Sequence, residues 1–227
     1  MTKQHIIIFS HGFGTKKDDR GLLSGDHGIS ETLEKEGIQT VLFDYCLVDE
    51  VNNIITVKPL SLQVEILRDK IEEVIKNYPG AVVDIIAHSQ GSLVVASLLP
   101  KNIRKIILIT PSLDANNQRM INLFKNRPRT SINLDGISKL DREDGILTIV
   151  PSAYWVEREN TLPIPLYNEL SKITDLTIIK ANQDNIQGNL SIEGLSDNIK
   201  LIFLDGDHQF GGIFRDSLIK VIKEIIC

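Results

Sequence analysis

The chain has 227 residues, the length of one domain, and 42% of them are apolar, which is enough to form a real core. Its 30 acidic and 25 basic residues leave a net charge of −5, which argues against a nucleic-acid-binding protein because such proteins carry a basic face. Two cysteines, Cys46 and Cys227, are too few for a disulfide framework or a metal-ligand cluster.

The N-terminus leads directly into a short apolar segment at residues 6–9. This segment is too short for the apolar core of a signal peptide or for a membrane span. The default prediction is therefore a cytoplasmic protein without a membrane span. The sequence leaves the oligomeric state open.

Short apolar runs alternate with helical patterns along the chain, which is typical of βα units on a parallel sheet. Several of these runs are nearly continuous in Ile, Val and Leu, as expected for strands that helices cover on both faces. Six strands are predicted, at residues 5–10, 40–45, 82–87, 104–110, 175–180 and 199–204.

The clearest helix is predicted at residues 60–77, where apolar side chains recur at intervals of three or four and define one buried stripe. Pro79-Gly80 ends this pattern. Further core helices are predicted at residues 30–36, after Ser89, and at residues 213–226.

The alternation of strands and helices breaks after Pro111. Helical patterns begin and end the next stretch, and two short extended segments lie near its middle. We interpret residues 112–173 as a cap inserted between core segments 1–111 and 174–227 of a single domain. Such a cap would cover the sheet edge at which open α/β sheets bind ligands. An ordinary long crossover is the alternative.

Ala87-His88-Ser89-Gln90-Gly91 lies where a strand pattern passes directly into a helical one. Small residues on both sides of a serine permit a tight turn that projects its hydroxyl above the sheet edge. The helix N-terminus behind the serine offers unpaired backbone N–H groups. Ser89 is therefore predicted to be a nucleophile, and a structural helix N-cap is the alternative role.

A serine nucleophile needs a base, and the base needs an acid that orients it. His208 follows the last predicted strand, from which its loop can reach the same sheet edge, and it is the predicted base. Asp184 follows the preceding strand and is the predicted acid, although an aspartate there could also serve only a turn. Asp205 and Asp207 are rivals on the histidine's own loop.

The backbone N–H groups of Phe13 and Gln90 are the predicted donors of an oxyanion hole. Phe13 lies in Ser10-His11-Gly12-Phe13-Gly14, where glycines let the backbone turn beneath a ligand, and Gln90 begins the helix after Ser89. A phosphate-binding loop is the alternative for the glycine segment. It is disfavoured because the third glycine of the dinucleotide fingerprint and a Gly-Lys-Ser/Thr sequence are both absent.

The His-Gly-Phe-Gly segment, the serine turn and the chain order Ser89, Asp184, His208 together resemble the α/β-hydrolase superfamily. The resemblance covers most of the chain outside 112–173, where that family inserts variable caps. It implies the α/β-hydrolase fold, with a mostly parallel sheet of about six strands in the order 2-1-3-4-5-6, helices on both faces and a cap insertion. Because the family usually has eight strands, it also implies a version that lacks the N-terminal pair.

The resemblance implies that the chain is a serine hydrolase which cleaves a carboxylic ester of a small-molecule acyl substrate through an acyl-enzyme. Ser89 would attack the acyl carbon, His208 would transfer the proton, and Asp184 would hold the imidazole. No cofactor, metal or nucleic-acid partner is implied. Thioester or peptide-amide cleavage by the same triad and a non-catalytic binding protein are the alternatives. Tyr154 and Trp155, in the predicted cap, are candidate substrate contacts.

Overall fold

The structure, a computed structural model, describes residues 3–187 and 190–226. Its strands are β1 His5–Ser10, β2 Gln39–Val41, β3 Leu47–Asp49, β4 Ile54–Thr56, β5 Val82–His88, β6 Lys105–Ile109, β7 Ile137–Asp141, β8 Leu147–Pro151, β9 Asp175–Ala181 and β10 Lys200–Leu204. Its helices are α1 Ile29–Glu34, α2 Leu60–Asn77, α3 Gln90–Leu98, α4 Asn117–Phe124, α5 Ser152–Glu159, α6 Pro163–Leu170 and α7 Phe214–Ile226.

Six strands form a main sheet in the order β10-β9-β6-β5-β1-β2, and every neighbouring pair is parallel. Numbered along the chain, this order is 2-1-3-4-5-6. The predicted fold class, a mostly parallel six-stranded sheet flanked by helices, is confirmed. Because the strands are parallel, their carboxyl ends and the loops that follow meet at one edge, where ligands bind in open α/β sheets.

The second strand is shorter than the sequence predicts. The prediction covers 40–45, whereas β2 ends at Val41. The backbone N–H of Tyr45 donates instead to Nε2 of His11, at 3.0 Å. Phe43 and Tyr45 are nevertheless buried in the core, which explains why their segment has the apolar pattern of a strand.

Apolar cores lie on both faces of the main sheet. Along β1, Ile6 and Ile8 face a cluster that includes side chains of α2, α3 and α6. Ile7 and Phe9 face a second cluster that includes side chains of α1 and α7. This alternation follows from the period of two along a strand, and it accounts for the nearly continuous apolar sequence of the central strands.

A second sheet has the order β3-β4-β8-β7. The pair β4–β8 is parallel, and the other two pairs are antiparallel. Strands β7 and β8 lie within the predicted insertion 112–173, whereas β3 and β4 come from residues 47–56, where the sequence predicts no strand. The sheet covers an apolar cluster of its own, which contains Ile55, Leu140, Val150, Tyr154 and Trp155.

The helices and the cysteines bear on membrane insertion and on disulfide formation. Within residues 3–187 and 190–226, none of the helices has both the length and the apolar character that crossing a bilayer requires. Cys46 is a buried free thiol. Cys227 lies outside the described residues.

Candidate active site

Ser89 occupies the turn between β5 and α3 with φ +50° and ψ −119°, a backbone conformation that side-chain-bearing residues rarely adopt. The turn brings Gly91 against the end of β1. A Cβ at Gly91 would lie 2.3 Å from the carbonyl oxygen of Ser10, so only glycine fits there. The small residue that the sequence pattern requires is therefore explained by a close backbone approach.

His208 lies in the loop after β10 and bridges two side chains. Its Nε2 is 2.9 Å from Oγ of Ser89, and its Nδ1 is 2.9 Å from Oδ2 of Asp184. Burial lowers the pKa of His208 below its usual value; the hydrogen bond to Asp184 opposes this effect, and the charge of His88 adds to it. His208 is therefore neutral at pH 7 and can accept a proton from Ser89.

Asp184 follows β9, and its second carboxylate oxygen accepts the backbone N–H groups of Ile186 and Gln187 at 2.9 and 2.8 Å. Burial would raise the pKa of Asp184, but the hydrogen bond and charge of His208 together with these N–H groups lower it.

The two alternative candidates for the acid are engaged elsewhere. Asp205 accepts the side-chain amide of Asn182, and Asp207 accepts backbone N–H groups of its own loop.

The two predicted oxyanion donors belong to different segments of the chain. Phe13 belongs to the loop after β1, and Gln90 is the first residue of α3, so its N–H has no partner within the helix. Within the described residues, neither backbone N–H donates a hydrogen bond to another protein group. Both residues line the same cavity as Ser89. The structure thus leaves both backbone N–H groups without an acceptor in the described part of the protein, on residues that line the cavity with Ser89.

A second histidine–aspartate pair, which the sequence analysis did not predict, lies beneath this site. Nδ1 of His88 is 2.6 Å from Oδ2 of Asp19, and both side chains are almost completely buried. Nε2 of His88 is 3.0 Å from the carbonyl oxygen of His208. The same Asp19 oxygen accepts the backbone N–H of Gly12 at 2.8 Å. The pair therefore ties the glycine loop to the loop that carries His208.

The charges of this second pair stabilise each other. Burial would raise the pKa of Asp19, but the charge and hydrogen bond of His88 lower it to about 2. Burial would likewise lower the pKa of His88, yet the charge and hydrogen bond of Asp19 raise it above its usual value. Because both ring nitrogens of His88 face acceptors, both carry protons, and His88 is a buried cation.

A cavity of ≈ 270 Å³ opens beside Ser89 and His208. The loop after β1 forms one wall, and α4 with the turn between β7 and β8 forms another. The side chains that α4 and this turn contribute are Arg119, Met120, Leu123, Phe124, Arg142 and Glu143. The site thus joins the edge of the main sheet to one end of the second sheet.

Tyr154 and Trp155, predicted as substrate contacts, do not line this cavity. Both are buried in the cluster beneath the second sheet, where Trp155 Nε1 donates to Oγ of Ser138 at 3.1 Å. The ring of Tyr154 lies 5.2 Å from that of Phe13, which itself faces the cavity. The structure therefore places both residues in the core behind the cavity wall, because a separate small sheet needs large side chains to fill its own interior.

No protein-family model matches the sequence, and neither does any curated protein sequence. Solved structures do match. Est1E from Butyrivibrio proteoclasticus is 17% identical, with 99% of this chain and 87% of that chain covered and a TM-score of 0.67. An esterase from Pyrococcus furiosus is 18% identical, with 99% and 82% covered and a TM-score of 0.65.

An α/β serine hydrolase homologue from Coxiella burnetii is 12% identical, with 100% of this chain and 86% of that chain covered and a TM-score of 0.61. At these identities the match concerns the fold, and it extends over the whole length of the chain. The chain therefore has the fold of the α/β-hydrolase superfamily, as its sequence motifs predict.

Proposed function

We propose that this chain is a serine hydrolase that cleaves a carboxylic ester through an acyl-enzyme intermediate. The observation that carries the proposal is the hydrogen-bonded series from Asp184 through His208 to Ser89, with 2.9 Å contacts on both sides of the imidazole. An imidazole held between a carboxylate and a hydroxyl can take the hydroxyl proton while the carboxylate stabilises the resulting charge.

In the acylation step, Oγ of Ser89 attacks the acyl carbon of the ester and gives its proton to Nε2 of His208. The backbone N–H groups of Phe13 and Gln90 donate to the oxyanion that forms. Each such donor typically contributes about 10²–10³-fold in rate. When the intermediate collapses, His208 gives the proton to the leaving alkoxide, and Ser89 remains acylated.

In the deacylation step, His208 takes a proton from water, and the resulting hydroxide attacks the acyl carbon. The second oxyanion uses the same two donors. Its collapse returns the proton from His208 to Ser89 and releases the carboxylic acid. Asp184 stays ionised throughout, since its lowered pKa keeps it a carboxylate at neutral pH.

The second sheet, together with α4, acts as a cap over this site in our proposal. The cap includes most of residues 112–173, and residues 47–56 complete its sheet. Support comes from the cavity, one wall of which consists of α4 and the turn between β7 and β8. We infer that the cap decides which acyl and alcohol groups are accepted.

The descriptions of the structural neighbours favour ester cleavage over other acyl transfers. The Pyrococcus furiosus protein is described as an esterase, and the Coxiella burnetii protein is described as an α/β serine hydrolase homologue. This support is an analogy at the level of the fold, which hosts many activities. The arrangement of the three side chains carries the greater weight.

Labelling by a fluorophosphonate probe tests the nucleophile. We expect the wild-type protein to be labelled and Ser89→Ala to remain unlabelled at equal concentration. Ser92→Ala is the matched control, because Ser92 lies on the same helix with a buried hydroxyl that has no hydrogen-bond partner in the described part of the chain. Equal labelling of wild type and Ser89→Ala would contradict the assignment.

Turnover of a substrate panel tests the ester specificity. We expect 4-nitrophenyl esters of some chain length to have a higher kcat/KM than acyl-coenzyme A thioesters or peptide amides. A higher kcat/KM for a thioester or an amide would replace ester cleavage by that reaction. Labelling of Ser89 without turnover of any class would favour a binding protein on the same fold.

A further inference from the structure

Charged side chains are frequent on the wall of the cavity beside Ser89. Four arginines and four carboxylates face it, namely Arg20, Arg119, Arg142, Arg158, Asp19, Asp114, Glu143 and Asp207. A cavity for a purely apolar ester would need few of these groups, because an unpaired charge beside apolar surface loses its hydration. The pairing of each charge therefore bears on what the cavity binds.

Each of the four carboxylates is already engaged by a protein group. Asp19 pairs with His88 at 2.6 Å, and Glu143 pairs with Arg127 at 2.8 Å. Asp114 lies 3.9 Å from Arg119, and Asp207 accepts two backbone N–H groups. Arg20 is similarly paired outside the cavity, with Asp144 at 3.2 Å. Two of the arginines, Arg142 and Arg158, remain to be accounted for.

Arg142 extends from the turn between β7 and β8 towards the loop after β1. Its Nη1 donates to the carbonyl oxygen of Phe13 at 3.2 Å, and its guanidinium lies 5.8 Å from the ring centre of Phe124. Its Nε is buried and has no acceptor among the residues that the structure describes. Within residues 3–187 and 190–226, no carboxylate lies within 4.0 Å of its charge.

Arg158, on α5, likewise has no carboxylate partner among the described residues. Its side chain is almost fully buried, and among the described residues its hydrogen bonds go to neutral oxygens: the carbonyls of Asp114 and Ala115 and the side chain of Asn117. It also interacts with the neutral hydroxyl of Tyr154. Its Nε also lacks an acceptor in the described part of the chain. Two guanidinium charges thus border the cavity with neutral partners alone, an arrangement that a bound anion would stabilise.

We infer that the substrate of this site carries a carboxylate or another anionic oxygen group, which Arg142 binds, while Arg158 contributes its positive charge to the same wall. This inference rests on the proposed hydrolysis at Ser89. Arg142 is suited to the role because it also contacts the carbonyl of Phe13, whose N–H is the proposed oxyanion donor. An anion on Arg142 would thus lie against the loop that holds the reacting carbonyl.

Two matched pairs of esters test the inference. In the first pair the carboxylate is on the leaving group: 4-butanoyloxybenzoate against its methyl ester. In the second it is on the acyl group: the mono-4-nitrophenyl ester of adipic acid against its methyl-capped form. For each pair the measured quantity is the ratio of kcat/KM for the anionic substrate to kcat/KM for the neutral one.

We expect Arg142→Met to lower this ratio about 10- to 100-fold in at least one pair, as the loss of a charged hydrogen bond predicts. Arg142→Lys, which keeps the charge but not the planar fork, should restore part of the ratio. Arg68→Met is the control. It removes the same charge from an exposed position on α2 and should leave the ratio unchanged.

An unchanged ratio in both pairs for Arg142→Met would overturn the inference while leaving the proposed hydrolysis intact. Absence of turnover and of Ser89 labelling would overturn the proposed hydrolysis. In that event calorimetry on Ser89→Ala still decides the inference. We expect Ser89→Ala to bind one of the anionic esters, and the added Arg142→Met change to weaken binding about 10-fold or more. Equal dissociation constants for both would overturn it.

Discussion

The molecule contains two buried histidine–aspartate pairs side by side, with the rings of His88 and His208 5.0 Å apart. In both pairs Nδ1 of the histidine contacts a carboxylate, at 2.6 Å in His88–Asp19 and 2.9 Å in His208–Asp184. The pKa shifts of the two histidines nevertheless have opposite directions. The pKa of His88 is raised, and that of His208 is lowered.

Burial disfavours the charged form of both rings, but in His88 the charge and hydrogen bond of Asp19 outweigh it. In His208 burial prevails, because the charge of His88 adds to it against the hydrogen bond of Asp184. The two rings also differ in what each Nε2 faces. His88 faces a backbone carbonyl, which can only accept, so its second nitrogen must keep a proton. His208 faces the hydroxyl of Ser89, which can donate. Its second nitrogen can therefore be unprotonated and accept that hydrogen bond. A carboxylate partner alone therefore does not make a histidine a base. Burial and the neighbouring charges, together with the partner of the second nitrogen, determine whether the ring is neutral or a buried cation.

The largest expected effect comes from breaking the pair at the proposed site. Asp184→Asn should lower kcat about 10⁴-fold while the thermal unfolding temperature stays close to that of wild type, as for other triad acids. Steady-state kinetics and a melting curve measure both. Asp205→Asn is the control, because Asp205 is exposed and accepts the side-chain amide of Asn182. A larger loss in Asp205→Asn or Asp207→Asn would contradict the assignment.

Breaking the other pair should act mainly on stability. Asp19→Asn leaves His88 without its counter-ion, and we expect the free energy of unfolding to fall by about 3–5 kcal/mol, the usual cost of a broken buried ion pair. Denaturant unfolding measures this. The neighbouring Asp18→Asn, at a partly exposed position, should change it by less than about 0.5 kcal/mol.

The pH dependence of unfolding provides an independent check on Asp19. Its pKa is lowered from 3.8 to about 2, so its contribution to stability is present above the higher value and is lost as the pH falls towards the lower one. That interval corresponds to about 2 kcal/mol. Wild type should lose this amount in addition to whatever Asp19→Asn loses. Parallel curves for the two proteins would show that Asp19 is not ion-paired.

The smallest effect concerns the influence of one pair on the other. Since the positive charge of His88 lowers the pKa of His208, His88→Gln should raise it, and the acid limb of the kcat/KM profile should move to higher pH. In wild type that limb should lie below about pH 6.5, the ordinary histidine value. His5→Gln removes a histidine from a distant pair with Asp84 and should leave the limb in place.

If the acid limb does not move in His88→Gln, or moves to lower pH, then His88 is not a cation beneath the site. A shift that appears equally in His5→Gln would point to a general loss of stability instead. The kcat/KM profile reports the pKa of a catalytic group, whereas denaturant unfolding reports stability. The result for His88→Gln can therefore be distinguished from the stability effect of Asp19→Asn.

Most strands and helices around the main sheet could be predicted because their apolar patterns are long; β2 has only three residues, but the buried Phe43 and Tyr45 that follow it extend its pattern. Strands β3 and β4 could not, since three residues each are too few to display a period of two. Ser89, Asp184 and His208 were predictable as candidates because each follows a strand that ends at the same edge. Asp19 was not, because it lies in the charged run Lys16-Lys17-Asp18-Asp19-Arg20, where nothing distinguishes a buried carboxylate from its solvated neighbours.

The residues that line the cavity could not be predicted from the sequence either. Trp155 and Tyr154 are large aromatic side chains in the predicted cap, which made them plausible substrate contacts. The small sheet needs them for its own core, and the cavity instead receives charged side chains from α4 and a turn. Whether an aromatic residue fills an interior or faces a ligand depends on how two distant segments pack, which local patterns do not contain.

The parallel pair β4–β8 has a consequence for exchanging the proposed cap between proteins of this fold. It joins residues 54–56 to residues 147–149, so the second sheet is assembled from two stretches that are far apart in the chain. Removal of residues 112–173 alone would leave Ile55 and Val57, now buried, without their covering strand and helix. An exchange of the proposed cap must therefore carry the short hairpin before α2 together with the long insertion.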